Sequence, residues 1–325
     1  MTHAYCTYFD AGYLSRGLAL IDSLRAHGDD GTVWVMALDD IVPQRLAELA
    51  IPGVEVITVE ALEQTVAGLA PLRDERSRME YYFTCTPLLV RYVMDQSPRG
   101  TSVAYLDADL WFFNDPSTVF AAMGEGSVGI IEHRYPARLE KRLAKYGRFN
   151  VGWVGFADDA AGRACLDWWG ERTLEWCSDT PVDGKYADQG YLDQFPTLFE
   201  GVTILPSPGM NLAPWNTARS QITGTEGSVR VDDDPLVFFH FHGLRHVKRW
   251  WITSQLVYGS NTGSVLRNAV YAPYVRALER WEARLPTAAR PASRGVGLRG
   301  ALFKLQKAAL DRVSVITGNA VKASA

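Results

Sequence analysis

The stretch from Val103 to Pro116, VAYLDADLWFFNDP, combines the pattern of a buried strand with two closely spaced carboxylates. It opens with an apolar run that is typical of a buried strand, and Asp107 and Asp109 follow at the end of that run. In an extended segment residues i and i+2 point the same way, so we expect both carboxylates to face one spot. Two like charges this close repel unless a cation lies between them, and hard oxygen ligands suit Mg²⁺ or Mn²⁺. The pattern indicates a place for a metal-bound diphosphate. The simpler alternative is that the pair ends a strand before a turn at Asn114-Asp115-Pro116.

The composition is that of a globular, enzyme-sized protein. The chain has 325 residues, of which 47% are hydrophobic and 11% aromatic, enough for one large domain or for a domain with an appendage. Its four cysteines have no close spacing, which argues against a disulfide framework or a structural zinc site and favours a reducing cytoplasm. The sequence shows neither a signal peptide nor an apolar run of about 18 residues, so we expect neither secretion nor membrane spanning.

Charge is unevenly distributed along the chain. The net charge is −4, yet the residues from Pro286 onward include seven basic side chains and a single acid, Asp311. We therefore predict a folded domain over residues 1–285 and a basic linker with an amphipathic helical tail over residues 286–325. Helical spacing relates Leu298, Leu302, Leu305 and Ala309. Such a helix is typical of binding to an anionic membrane surface, and packing on the acidic body or on a partner is the alternative.

The first sixty residues alternate between strand and helix patterns. Strands are predicted at residues 4–9, 33–38 and 54–59, with helices at 14–25 and 43–50 between them. This alternation predicts a Rossmann-like, mostly parallel sheet with helices on its faces. Ligands of such sheets gather at the carboxyl ends of the strands, where Asp10, Asp39 and the acidic pair fall.

The middle of the chain adds further elements and candidate ligand contacts. Residues 73–94 are predicted to be helical, and Arg78 near their start is a candidate phosphate contact or else part of a solvated face. Residues 149–156, FNVGWVGF, predict a strand whose two glycines leave room for a ligand, hence a pocket wall. Residues 158–177 predict a long helix. The loop at residues 211–216, NLAPWN, has the residue types that hold sugars, and residues 236–241 predict the last strand.

The order of these elements resembles the GT-A glycosyltransferases and, within them, the retaining family 8-like nucleotide-sugar enzymes. The resemblance covers most of residues 4–256. Four blocks carry it: Asp107-Ala108-Asp109, Asn150-Val151-Gly152, Asp188-Gln189 and His240-Phe241-His242-Gly243. Each block alone is weak evidence for the resemblance, but four blocks in the family's order are much stronger evidence.

The resemblance implies a metal site. Asp107, Asp109 and His240 would bind Mn²⁺ or Mg²⁺, which neutralises the departing diphosphate. His240 and His242 share a face of an extended strand, so either imidazole could be the ligand, and the family spacing favours His240.

This sequence departs from the family's pattern after Gly243. The family usually has a lysine three residues after this glycine, whereas this chain has His246 there and Lys248 two residues further on. Which of Arg245, His246 and Lys248 touches the phosphate is therefore open.

The resemblance also implies the remaining site residues. Tyr8, Asp10 and Asp39 would hold the nucleobase and ribose, Arg78 and Asn150 would lie near the sugar and diphosphate, Gly243 and Lys248 near the diphosphate, and the catalytic Asp188 and Gln189 beside the anomeric carbon. Because Gln189 cannot serve as a base, we expect the diphosphate to take the acceptor proton on the same face, which retains the anomeric configuration. The alternative for Asp188 is a helix N-cap.

The function implied is transfer of a sugar from a nucleotide diphosphate sugar, with uridine as the family's usual base. The acceptor would be a carbohydrate, a lipid-linked molecule or a small molecule, and nucleic acid is not expected as a partner. We expect a cytoplasmic protein, and the membrane interpretation of the tail would place it at the inner face of the membrane. One alternative is a haloacid-dehalogenase-like phosphatase, although that family has Thr or Val at the position of Leu110. The other is a non-catalytic protein that binds carbohydrate or nucleotide sugar.

Overall fold

The computed structural model describes residues 2–182, 184–285 and 308–323. The strands in this part of the chain are β1 (His3–Phe9), β2 (Thr32–Ala37), β3 (Val54–Thr58), β4 (Ser102–Leu106), β5 (Leu110–Phe112), β6 (Val128–Glu132), β7 (Phe149–Phe156), β8 (Val202–Ile204), β9 (Ile222–Thr225), β10 (Ser228–Val231), β11 (Asp234–Pro235), β12 (Phe238–His240), β13 (Arg245–Val247), β14 (Trp250–Ile252) and β15 (Ala320–Lys322). The α-helices with defined bounds are α1 (Leu14–Ala26), α2 (Ile41–Leu49), α3 (Val59–Thr65), α4 (Leu69–Glu75), α5 (Arg78–Gln96), α6 (Ser117–Ala121), α7 (Leu143–Tyr146), α8 (Ala160–Glu175), α9 (Phe195–Leu198) and α10 (Ala272–Arg284). Residues 308–316 are also helical.

A seven-stranded sheet with the order β3-β2-β1-β4-β7-β6-β8 forms the centre of the molecule. Strands β3, β2, β1 and β4 are parallel, and β7 runs antiparallel between β4 and β6. Strand β8 is parallel to β6. This sheet confirms the predicted α/β class with a mostly parallel sheet flanked by helices.

Alternate residues of each central strand enter two different apolar cores. In β4, Ala104 and Leu106 belong to one core, while Val103 and Tyr105 belong to the other. This is the period of two expected of a strand that is covered on both faces. Strand β4 is consequently buried along its whole length and holds the following acidic pair in a fixed position.

The helix predicted over residues 73–94 is two helices, α4 and α5. They separate at Ser77, whose hydroxyl accepts a hydrogen bond from the Glu80 backbone N–H, while the Glu80 carboxylate accepts one from the Ser77 backbone N–H. This reciprocal pair is a capping box, which starts a new helix at Arg78. Residues 73–94 are therefore helical as predicted except at this break, and Arg78 lies in the first turn of α5, at the start of a helix as predicted.

The chain does not end its strands at residue 241 as predicted. Strands β13 and β14 form a hairpin, and β15 from the basic tail pairs antiparallel with β14. Arg245 also forms an ion pair with Asp311, which lies in the helical residues 308–316. The described end of the tail is thus packed on the body, whereas Leu298, Leu302 and Leu305 lie outside the described residues. No helix among the described residues combines the length and the apolarity needed to cross a bilayer.

Candidate active site

Asp107, Asp109 and His240 meet where β4 ends. His240 Nε2 lies 3.6 Å from Asp107 Oδ2 and 3.1 Å from Asp109 Oδ1. One donor atom from each of the three residues lies within 4.8 Å of the other two. His242 lies on the same segment, but its ring centroid is 5.9 Å from that of His240.

The two aspartates converge through a turn and not through strand alternation. Strand β4 ends at Leu106, and the Leu110 N–H donates to the Asp107 carbonyl at 3.1 Å. Strand β5 then pairs antiparallel with β12, which places His240 opposite Leu110. The prediction that both carboxylates project from one extended segment is wrong, while the predicted meeting of the carboxylates with His240 is found.

Gly152 provides the space in which His240 lies. A Cβ atom at position 152 would lie 2.8 Å from His240 Nδ1 and 2.7 Å from Asn150 Oδ1. The same Asn150 oxygen accepts hydrogen bonds from the Gly152 N–H at 3.1 Å and from Asn211 Nδ2 at 3.0 Å. Asn150 Nδ2 in turn donates to Gln189 Oε1 at 3.1 Å. The spacing of Asn150 and Gly152 therefore positions both the histidine and the glutamine.

The charges of the cluster shift its pKa values in different directions. Burial raises the pKa of Asp107, and the Asp109 charge adds to that rise while His240 opposes it. Burial also disfavours the charged form of Asp109, but the ion pair with His240 outweighs burial and holds the pKa of Asp109 at about 2. Burial lowers the pKa of His240, and Asp109 more than offsets this, so the net shift is upward. Two carboxylates and one imidazole at these distances fit Mn²⁺ or Mg²⁺.

Asp188 and Gln189 line the same cavity as Asp107 and His240. Burial raises the pKa of Asp188 to about 7, a shift that the Thr86 hydroxyl opposes and the Asp107 charge increases. The Asp188 side chain makes no capping hydrogen bond to the short helical turn that begins at Gln189, although the Gln189 backbone N–H favours its charged form. Gln189 Nε2 donates to the Tyr146 carbonyl at 2.7 Å, which fixes the amide.

The cavity has a volume of about 290 Å³ and brings together half of the predicted site residues. The predicted residues that line it are Tyr8, Asp107, Asn150, Asp188, Gln189 and His240. One side is an aromatic wall, defined as Tyr135, Tyr146, Tyr186, Trp215 and Tyr258, with Arg142 beside it. The sequence indicated only Trp215, through the loop at residues 211–216. The tyrosines and Arg142 stand in segments without a motif.

A second cavity of about 420 Å³ opens beside the carboxyl ends of β2 and β3. Asp39 and Arg78 line it. Arg78 forms an ion pair with Asp10 at 3.0 Å, and the side chain of Arg78 is 60% exposed. Asp39 accepts hydrogen bonds from the N–H groups of Ala11 and Ile41, which tie the loop after β1 to the start of α2.

Gly243 and Lys248 do not line the 290 Å³ cavity. Gly243 has a left-handed φ of 72° and borders a groove that includes Leu310 of the tail. Lys248, with a φ of 57°, lies in the turn between β13 and β14. The neighbouring candidate His246 stacks on Trp251 with ring centroids 4.5 Å apart. A diphosphate contact of Gly243 or Lys248 therefore stays a prediction.

Comparison with known proteins gives relatives over most of the chain, although no protein-family model matches it. The uncharacterised protein YfnF of Bacillus subtilis (strain 168) is 34% identical over 254 residues, which cover 76% of this chain and 83% of YfnF. The chain belongs to the family of YfnF. The uncharacterised protein YfnD of the same organism is 28% identical over 282 residues, covering 86% of this chain and 90% of YfnD.

Solved structures show which fold this family has. The galactosyltransferase LgtC, in complex with donor and acceptor sugar analogues, superimposes with a TM-score of 0.55 at 16% identity, covering 87% of this chain and all of the LgtC chain. The bifunctional glycosyltransferase WbbM gives a TM-score of 0.51 at 16% identity, covering 87% of this chain and 51% of WbbM. The fold is therefore the GT-A fold of glycosyltransferases.

Proposed function

We propose that this protein is a metal-dependent, retaining glycosyltransferase that moves a hexosyl group from a nucleotide diphosphate sugar, with UDP as the favoured nucleotide, to an acceptor hydroxyl. The observation that carries the proposal is the cluster of Asp107, Asp109 and His240, of which Asp107 and His240 line one cavity with Asp188 and Gln189. A fold shared with glycosyltransferases such as LgtC supports it. The same fold argues against the haloacid-dehalogenase-like alternative.

The donor would bind across the carboxyl edge of the sheet. Asp107, Asp109 and His240 would hold Mn²⁺ or Mg²⁺, and this cation offsets the charge that grows on the departing diphosphate. Asp39 and Arg78 line the larger cavity, and Arg78 forms an exposed ion pair with Asp10. This supports the assignment of Asp10 and Asp39 to the nucleobase and ribose and of Arg78 to the sugar and diphosphate. Tyr8 lines the smaller cavity instead. The assignment of Gly243 and Lys248 to the diphosphate rests on the family resemblance alone.

The groups that the proposal places beside the anomeric carbon support retention of configuration. Gln189 has its amide fixed by Asn150 and by the Tyr146 carbonyl, and an amide is no base. The bond from the anomeric carbon to the diphosphate oxygen would break, the acceptor oxygen would bond on the same face, and a diphosphate oxygen would take the acceptor proton. Asp188 would orient the acceptor hydroxyl or stabilise the developing positive charge.

A thermal-shift panel of UDP-, GDP-, dTDP- and CMP-sugars, with and without Mn²⁺, tests donor binding. We expect a UDP-sugar with Mn²⁺ to raise Tm most, because a ligand that binds the native state stabilises it by mass action. Proton NMR of the first-formed product, read before mutarotation, then tests retention. Donor binding without turnover would favour a non-catalytic protein, and an inverted anomeric coupling would remove the proposed mechanism.

The location of the protein is part of the proposal. All four cysteines are free and buried, which supports a reducing cytoplasm. A membrane role of the basic tail is tested by sedimentation with anionic liposomes, comparing the full chain with a chain that ends at Leu285. Equal binding of both proteins would remove that role.

A further inference from the structure

Arg142 is a cation of the cavity without an acidic partner. Its side chain is half-buried and lines the cavity that contains Asp188 and His240. None of the ion pairs among the described residues includes Arg142, although the neighbouring Arg138 and Arg148 both have protein partners. Burying part of a guanidinium without a counter-charge is unfavourable, so a half-buried unpaired arginine in a cavity is a candidate contact for an anionic ligand.

The aromatic wall holds this guanidinium in place. Arg142 Cζ lies 4.9 Å from the ring centroid of Tyr258 and 6.0 Å from that of Tyr146. Arg138, one turn earlier in the same segment, donates to the carbonyls of Tyr258 and Gly259 at 3.1 and 2.8 Å. The segment that carries Arg142 is thus tied to the segment that carries Tyr258, which fixes the arginine relative to the cavity.

A continuous series of ring contacts connects Arg142 with the metal-ligand candidate. The centroid of Trp215 lies 5.1 Å from that of His240 and 6.0 Å from that of Tyr258. Tyr258 is in turn the ring beneath Arg142. Arg142 is therefore connected to His240 through Tyr258 and Trp215, and it is not a member of the carboxylate cluster.

The tyrosines of the wall have unused polar groups. The hydroxyls of Tyr135, Tyr146, Tyr186 and Tyr258 make no hydrogen bond to the part of the chain that the structure describes, and all four residues line the cavity. Phenol rings offer faces for sugar C–H groups and hydroxyls for polar substituents. Ring faces, free hydroxyls and one unpaired guanidinium suit a polar, ring-shaped molecule with an oxyanion substituent.

We propose that the aromatic wall and Arg142 form the acceptor half of the site, and that the acceptor is a hydroxyl-bearing molecule with an anionic group, phosphate or carboxylate, that Arg142 binds. The proposal rests on the glycosyltransferase function proposed above and adds the chemical class of the acceptor. The competing role for Arg142 is contact with the donor diphosphate. Both ligands carry oxyanions, so the experiment must separate them.

Equilibrium binding of matched small molecules tests the acceptor role without turnover. Calorimetry would compare neutral monosaccharides with their phosphates and with the corresponding uronic acids, on the wild type and on Arg142→Gln. We expect at least one anionic member to bind at least tenfold more tightly than its neutral partner. We expect Arg142→Gln to lose that preference, since a hydrogen bond to a charged group typically changes affinity by about tenfold or more.

Lys141→Gln is the matched control. Lys141 precedes Arg142, is exposed and does not line the cavity, so its removal changes the local net charge equally without touching the site. We expect Lys141→Gln to keep the anion preference within about twofold because exposed charges are screened. If no anion binds better than its neutral partner, or if Lys141→Gln and Arg142→Gln behave alike, the proposal is overturned.

Donor binding and turnover distinguish this inference from the proposed function. We expect UDP with Mn²⁺ to bind Arg142→Gln and wild type with dissociation constants within about threefold, while kcat/KM for the anionic acceptor falls at least tenfold. A loss of UDP affinity equal to the loss of anion affinity would assign Arg142 to the donor and overturn the acceptor role. If neither protein hydrolyses nor transfers from any donor, the proposed function fails, while Arg142-dependent anion binding would still support the anionic subsite.

Discussion

Two buried aspartates at opposite ends of the central sheet differ in their contacts and in the direction of their pKa shifts. At the amino end, Asp29 accepts hydrogen bonds from the Tyr5 hydroxyl at 2.5 Å and from the Gly31 N–H at 2.8 Å, and His3 Nε2 lies 2.8 Å away. Burial raises the pKa of Asp29, but these contacts outweigh burial and the net shift is downward. The carboxylate at this end is stabilised in its charged form by its own fold.

At the carboxyl end, the net pKa shift of Asp188 is upward, although the Thr86 hydroxyl favours the charged form. Asp188 is buried near the charge of Asp107, and its pKa is raised to about 7. Burial outweighs the stabilising contacts at Asp188 but not at Asp29, and Asp188 lies at the end of the sheet where α/β proteins bind ligands. Perturbed carboxyl groups in a cavity indicate a functional site more strongly than paired ones do.

The largest effect should come from neutralising the metal-ligand candidates. We expect Asp107→Asn and Asp109→Asn each to lower kcat by about a thousandfold, because a weakened cation site leaves the diphosphate charge uncompensated. Asp107→Asn should not lower Tm, since the charged form of Asp107 is already disfavoured by burial. Turnover and thermal unfolding of the same preparations check this. Full activity in excess EDTA would contradict it.

A smaller loss is expected for Asp188→Asn, about a hundredfold in kcat if the carboxylate acts beside the anomeric carbon. Donor affinity should change less than kcat, because Asp39 and Arg78, two of the proposed donor contacts, line the other cavity. Steady-state kinetics with the donor varied would measure both. If kcat stays within about threefold of the wild type, Asp188 is a structural residue like Asp29.

The sequence predicted which residues form the acidic cluster, but not the backbone geometry that brings them together. The motif order identified Asp107, Asp109 and His240, yet their convergence depends on a turn after Leu106 and on the register of β12 against β5. Neither is encoded within the D-x-D segment itself, because tertiary pairing overrides the strand pattern. The break at Ser77, in contrast, was readable from the capping-box spacing of Ser77 and Glu80.

The aromatic wall was not predictable for a related reason. Tyr135, Tyr186 and Tyr258 lie far apart in the chain and are brought together by folding. A single tyrosine has no local signal that separates a pocket residue from a core residue. Arg142 was missed likewise, because the charge run around it is equally typical of a solvated face.

The raised pKa of Asp188 should make the stability of the protein depend on pH. A carboxyl pKa of about 7 in the native state lies above the unfolded value, so the native state binds more protons between those two pH values. The Asp188 contribution to stability therefore falls as pH rises from about 4 to about 7. In EDTA, the free energy of unfolding of the wild type should therefore fall by on the order of 2–3 kcal/mol between pH 5 and pH 8, and Asp188→Asn should lack this fall. Urea unfolding at pH 5 and pH 8 measures it, and an unchanged difference would contradict the raised pKa.

The smallest expected effect is the loss of stability in Asp29→Asn, about 1–2 kcal/mol near neutral pH, because the asparagine amide cannot accept from all the donors that face the carboxylate. The pKa of Asp29 is lowered, so its contribution is present above the unfolded pKa and is lost as pH falls through the folded value. The difference between wild type and Asp29→Asn should accordingly shrink in acid, a slope opposite in sign to that of Asp188→Asn. The kcat of Asp29→Asn should stay within about twofold of the wild type, since Asp29 lies at the other end of the sheet and lines neither cavity. Urea unfolding from pH 3 to pH 8, with kcat measured at pH 7, tests both expectations. Two variants with the same sign of slope would show that the two ends of the sheet do not differ in how they treat a buried carboxylate.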